Sequence, residues 1–203
     1  MKTWMADRRL ILGILIAHLL LFFSFEDKAV FWYIFTASML ILISYSIIHE
    51  EIEDNTSTTS YLSIGVLSGI GLFGLFWLGS AMIEWFNIPL SGQISRLYSR
   101  FSPDIVWHYL VLVLIIAPGE EIFWRGFVQK RMNHYFGAKV TIGLAVLFYA
   151  SVHLYSGEFI LVLAAVIAGF AWSALYAWKR SLPLVIVSHI VFDLLLFVFL
   201  PLR

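Results

Sequence analysis

The chain has 203 residues, 61% of them hydrophobic and 13% charged, with a mean hydropathy of +0.90. These values exclude a soluble globular domain and point to an integral membrane protein. Cysteine is absent, which removes disulfides, thiolate nucleophiles and cysteine metal sites, and a net charge of zero gives no reason to expect a nucleic-acid partner.

About 20 apolar residues cross ~30 Å of hydrocarbon as a helix. Runs of that kind predict spans over 10–25, 29–48, 61–82, 105–129, 139–154, 159–178 and 182–201, an all-α polytopic bundle of seven helices in one membrane domain, 1–203. The first run follows a basic start, but it is long for a signal-peptide core and no A-x-A site follows, so it reads as a retained helix. The third carries Gly65, Gly69, Gly71, Gly74 and Gly79, including one GxxxG, a pattern that lets another helix approach closely. The connection 83–103, with Pro89 and Gly92, reads as a loop or surface segment. In the fourth run, Pro118-Gly119 predicts a break or kink, with two helical pieces on either side.

Lysines and arginines set the expected orientation. With a cytoplasmic N-terminus the inner side collects Lys2, Arg8, Arg9, Lys130, Arg131, Lys139, Lys179 and Arg180. The outer side collects Lys28, Arg96, Arg100 and Arg203, so the bias favours N-in and C-out, although the loop 49–60 adds no basic residue. Trp4, Trp32, Tyr33, Trp85, Trp107, Tyr109 and Trp178 lie near span ends, where amphipathic rings suit the headgroup level.

The informative charges lie inside the spans. A charged side chain near the bilayer centre costs ~2.5–3.5 kcal/mol on insertion scales, so such groups are functional candidates. Glu121 and Arg125 are four apart on one helix face, the acid N-terminal to the base, and form a natural ion pair. Glu120, rotated about 100° away, is left to face something else, and a lone poorly hydrated carboxylate suits a general base. His153 lies in "FYASVHLYSG", and His189 and Asp193 share a face in "VSHIVFDLLL". At about 1.5 Å per residue, Glu120 lies ~15 Å from Lys130, His189 ~12 Å from Ser181 and His153 ~20 Å from Lys139. All three therefore fall in a similar layer, where they would converge on one water-accessible cavity. A carboxylate and an imidazole there can activate water, and a second histidine can hold an oxyanion. Glu120, His153 and His189 can also hold Zn²⁺, although HExxH is missing.

These residues resemble the CPBP intramembrane proteases, the group that includes type II CAAX prenyl endopeptidases and bacterial Abi proteins. The family pattern is EExxxR, then FxxxH, then HxxxN or HxxxD on successive membrane helices. The chain reads Glu120-Glu121-x-x-x-Arg125, Tyr149-x-x-x-His153 and His189-x-x-x-Asp193 in that order. The resemblance covers 104–201, which it implies to be the catalytic core, and implies an endopeptidase acting within the membrane. Glu120 would be the water-activating base assisted by His153; Glu121 and Arg125 would support it; His189 and Asp193 would line the oxyanion side. Tyr149 replaces the usual Phe. Asp193 stands where the eukaryotic prenyl proteases have Asn, and an ionised Asp cannot donate a hydrogen bond, so it is either protonated or orients His189.

A glutamate-based mechanism without cofactor is expected, with a zinc-dependent version as the variant. A non-catalytic membrane binding or immunity protein of the same fold is the competing class. A proton-coupled transporter is a third, disfavoured because paired broken helices are not evident. The expected substrate is a peptide or membrane-protein segment, and the expected location a bacterial cell membrane. Compact size argues against cleavage of prenylated termini. His18 reads as a packing or helix–helix hydrogen-bond residue, His108 and His134 read as solvated near the two ends of the fourth segment, and His49 abuts an acidic loop.

Overall fold

The computed structural model describes residues 4–202. Seven of its helices are long and apolar enough to cross a membrane: Arg8–Glu26, Phe31–His49, Thr58–Trp85, Val106–Met132, Ala138–Ser156, Phe159–Lys179 and Leu182–Phe199. They match the predicted spans to within a few residues, and the chain is a multi-pass integral membrane protein. Their starts follow capping chemistry. Asp7 accepts from the Leu10 amide at 3.1 Å ahead of the first span, and Ser57 and Ser181 cap the third and seventh in the same way. Arg180, at φ 49°, ends the sixth span in the left-handed conformation and turns the chain straight into the Ser181 cap.

The connection 83–103 is not merely a loop. It contains an 11-residue helix, Ser91–Phe101, in which a polar face alternates with a face that buries Phe101. The expected break at Pro118-Gly119 also takes a different form. The fourth span stays helical throughout, and π-helical turns at Leu112–Ile116 and Ile122–Gln129 flank a short α segment, Ala117–Glu121. The amide of Ala117 reaches back to the Leu112 carbonyl. Widening the turn before proline relieves the ring's clash with the preceding carbonyl, so the helix need not be interrupted. Gly119 packs closely on the second span, where an added Cβ would lie 3.1 Å from Ile43 and 3.2 Å from Met39.

Apolar side chains gain little by facing each other instead of lipid, so close backbone approach and interhelical hydrogen bonds must hold the bundle. Gly65 and Gly69 supply the approach: a Cβ on Gly69 would lie 2.6 Å from the Ser188 carbonyl of the seventh span, whereas one on Gly71, Gly74 or Gly79 would meet nothing within 4 Å. Ser68 hydrogen-bonds Ser188 across the same contact at 3.0 Å. Half of the fourth span is buried inside the protein, against 17% of the third. The fourth span is thus the axis and the third a peripheral helix clipped to the seventh.

The connections sort into two faces. On one, Arg131 binds Asp7 and Glu50, Lys130 binds the Glu51 carbonyl, and Asp54 accepts from Ser181 at 2.7 Å. On the other, Arg100 and Arg96 both bind Glu158, and Tyr98 donates to the Leu196 carbonyl. This is the division that the loop charges predicted. The acidic loop after His49, which carries no lysine or arginine, neutralises basic ends on the crowded side.

Candidate active site

The short α segment of the fourth span sends its two adjacent carboxylates to different neighbours. Glu120 accepts a hydrogen bond from the Tyr149 hydroxyl of the fifth span at 2.8 Å. Glu121 turns to the seventh span, where its Oε1 lies 2.8 Å from His189 Nδ1. The same oxygen accepts from Arg125 at 3.0 Å, the expected i,i+4 pair. Glu121 is therefore more than the partner of Arg125: it joins guanidinium and imidazole through one atom. Both Glu121 and Arg125 are fully buried, and Glu120, His153, His189 and Asp193 are each 5–6% exposed.

Arg125 has further support from the sixth span. It donates to the Gly169 carbonyl at 3.2 Å, and its guanidinium carbon lies 4.6 Å from the Tyr149 ring centroid. Gly169 makes this approach feasible, since a Cβ there would stand 2.8 Å from the Tyr149 ring. Three weak favourable terms thus surround a buried cation: ion pair, carbonyl and aromatic face. His153 sits one turn beyond Tyr149. Its Nδ1 is held by the Tyr149 carbonyl at 2.8 Å, and its ring packs edge-on against the Tyr149 ring. A neutral ring bonded through Nδ1–H keeps Nε2 as an acceptor.

His189 is fixed from three directions. Glu121 holds Nδ1, Asp193 Oδ2 lies 3.5 Å from Nε2, and the Trp172 indole stacks on the ring at a centroid distance of 3.8 Å. Trp172 is anchored in turn by its indole N–H, which donates to Ser188 at 3.3 Å. The sequence reading missed Trp172 and Ser188. A tryptophan in the middle of a span, away from the headgroup belt, was the available signal.

The spans thus bring Glu120, Tyr149, Glu121, Arg125, His189 and Asp193 into one polar cluster, with His153 beside it. Chemically, the cluster offers a carboxylate within reach of a hydroxyl and an imidazole whose N–H groups face carboxylates. As placed, Glu120, His153 and His189 do not form a zinc ligand set: His189 turns both nitrogens toward carboxylates, and no group of three His, Asp or Glu among the described residues is spaced to hold a metal ion. His18 stands apart, bonding Tyr155 at 2.9 Å and Ser151 at 3.3 Å, as a helix–helix hydrogen-bond residue does. His108 differs from expectation. It is buried, pairs with Asp104 at 2.6 Å and stacks on Trp32, which lies at the start of the second span and is itself buried.

Seven membrane helices around a buried carboxylate–imidazole cluster define the class as a polytopic membrane protein with a polar site inside the bundle. The comparisons go further: residues 102–195 match the family described as "Type II CAAX prenyl endopeptidase Rce1-like". The resemblance to the CPBP family of membrane proteases is thereby borne out for this segment, which holds all of the site residues. The chain is also 26% identical over 116 residues to the uncharacterized protein YpbD of Bacillus subtilis (strain 168), a stretch covering 56% of each. The chain thus spans about half the length of that relative. No solved structure matches it.

Proposed function

We propose that the chain is an intramembrane endopeptidase that hydrolyses a peptide bond in a membrane-embedded segment through water activated by Glu120. The observation that carries this reading is the meeting of Glu120, Glu121, Arg125, Tyr149 and His189 from three spans in a buried hydrogen-bonded cluster. Burying such groups is costly, and packing alone would be served as well by apolar side chains. In the proposed reaction Glu120 takes a proton from water as it attacks the carbonyl, with His153 Nε2 helping to orient it. The His189 Nε2–H, held only loosely by Asp193 at 3.5 Å, turns to the developing oxyanion. Asp193 then acts as a positioning residue. Glu120 returns its proton to the departing amine. No metal takes part in this scheme.

The test compares new protein termini in membranes of cells expressing the parent or Glu120→Gln at equal abundance. Termini present with the parent and lost with the variant are expected. The same termini from both would remove the peptidase reading and leave the binding or immunity protein of this fold.

A further inference from the structure

The fourth and sixth spans run side by side in a constant register. Arg125 donates to the Gly169 carbonyl and Gln129 to the Ser173 carbonyl, both pairs separated by 44 residues. The next pair in that register, Asn133 and Ala177, lines a cleft on the face that carries Lys130 and Arg180, together with Gln129, Thr141 and Tyr176. Small residues, Ala165, Gly169, Ser173 and Ala177, recur every fourth position on the sixth span. They oppose the longer polar side chains of the fourth.

Four polar atoms along this seam are buried and have no partner within the protein: Glu121 Oε2, Arg125 Nε, Gln129 Oε1 and Ser173 Oγ. Their residues are at most 3% exposed. Buried polar groups in proteins are satisfied by protein or by ordered water, and a water needs two to four such partners. From this geometry we infer that the seam is a built file of water sites. It leads from the Asn133–Tyr176 cleft past Gln129 and Ser173 to Glu121, whose backbone neighbour is Glu120. The file supplies the water that hydrolysis consumes, and in that respect it rests on the proposed function. Arg125 stands in the file as a fixed cation.

The absence of cysteine provides a clean assay. Single-cysteine variants Ser173→Cys and Ala17→Cys, the latter at a buried apolar position of the first span, are reconstituted in vesicles and exposed to hydrogen peroxide, a neutral oxidant close to water in size that converts a thiolate to the sulfenic acid. The reagent needs water to reach the thiol and to ionise it, so S173C should react about ten-fold faster or more than A17C. Adding Gln129→Leu, which plugs the seam with an apolar side chain, should slow S173C toward the A17C rate. If S173C does not elute as the parent does, Ala177→Cys, one turn nearer the cleft, takes its place. Equal rates for the seam position and A17C would overturn the water file. Oxidation of the thiol requires no turnover. A reactive seam with unchanged termini in E120Q would keep the file and discard the peptidase reading, and an unreactive seam with lost termini would do the reverse.

Discussion

At the scale of single residues, Arg125 carries the heaviest obligation. It is fully buried and answers to Glu121, the Gly169 carbonyl and two aromatic rings. Removing one member of a buried ion pair strands the other, at a cost of about 3–5 kcal/mol. Arg125→Met should therefore lower membrane abundance and the thermal midpoint of the purified protein. Adding Glu121→Gln should restore part of the loss, because the stranded charge disappears. An R125M protein as abundant and as stable as the parent would show that the guanidinium is not needed to hold the carboxylate. The motif residues were legible in the sequence because charge inside an apolar run is conspicuous. The i,i+4 spacing also announced the Glu121–Arg125 pair. His189 as a second partner of Glu121 was not legible, since 68 residues separate them and only the packing of the seventh span against the fourth sets that distance. Trp172, Gln129 and Ser173 were hidden for the same reason: their role lies in the register of the sixth span against the fourth.

At the scale of elements, helix contacts turn on a few positions. Gly69 touches the carbonyl of Ser188, the residue before His189. A large side chain there must push the third span off the seventh, and overpacking of this kind costs about 1–3 kcal/mol. Gly69→Leu should lower the thermal midpoint in detergent, while Gly71→Leu, which faces open space, should leave it unchanged; equal effects would mean that the glycines do not set the contact. The sequence showed five glycines but not which two mattered, because that depends on which helix lies alongside. A second element contact depends on pH. Burial opposes ionisation of the Asp7 carboxyl, but the Leu10 amide, Arg131 and Tyr135 together hold it below the usual carboxylate range. A depressed folded value means that this tie stabilises above the unfolded pKa, about 4, and is lost as pH falls through the folded value. Asp7→Asn should thus lower the thermal midpoint at pH 7, and the gap between parent and variant should narrow as the pH is taken below about 4. A gap of the same size at both pH values would mean that the contact works without the charge.

At the scale of the whole molecule, the charge pattern and the folded contacts make one statement about sidedness. The number and limits of the spans were legible because ~30 Å of hydrocarbon imposes a minimum apolar length. The surface helix Ser91–Phe101 could also have been read, since Ile94, Leu97, Tyr98 and Phe101 fall at i, i+3, i+4 and i+7, but Pro89 and Gly92 beside them carried the stronger loop signal. The face that gathers Asp7, Glu50, Lys130, Arg131 and Arg180 holds most of the basic residues, and their acidic partners are Asp7, ahead of the first span, and Glu50 and Glu53 of the one loop on that face without lysine or arginine. Acidic residues contribute little to orientation, so neutralising those bases after folding does not cancel their effect during insertion. The face should therefore be cytoplasmic, with the N-terminus inside. In the cysteine-free chain, Asn133→Cys marks this face and Ser91→Cys the opposite one. An impermeant maleimide added to intact cells should label S91C and spare N133C until the membrane is opened. The reverse pattern would invert the bundle, and with it the side from which water enters the seam between the fourth and sixth spans.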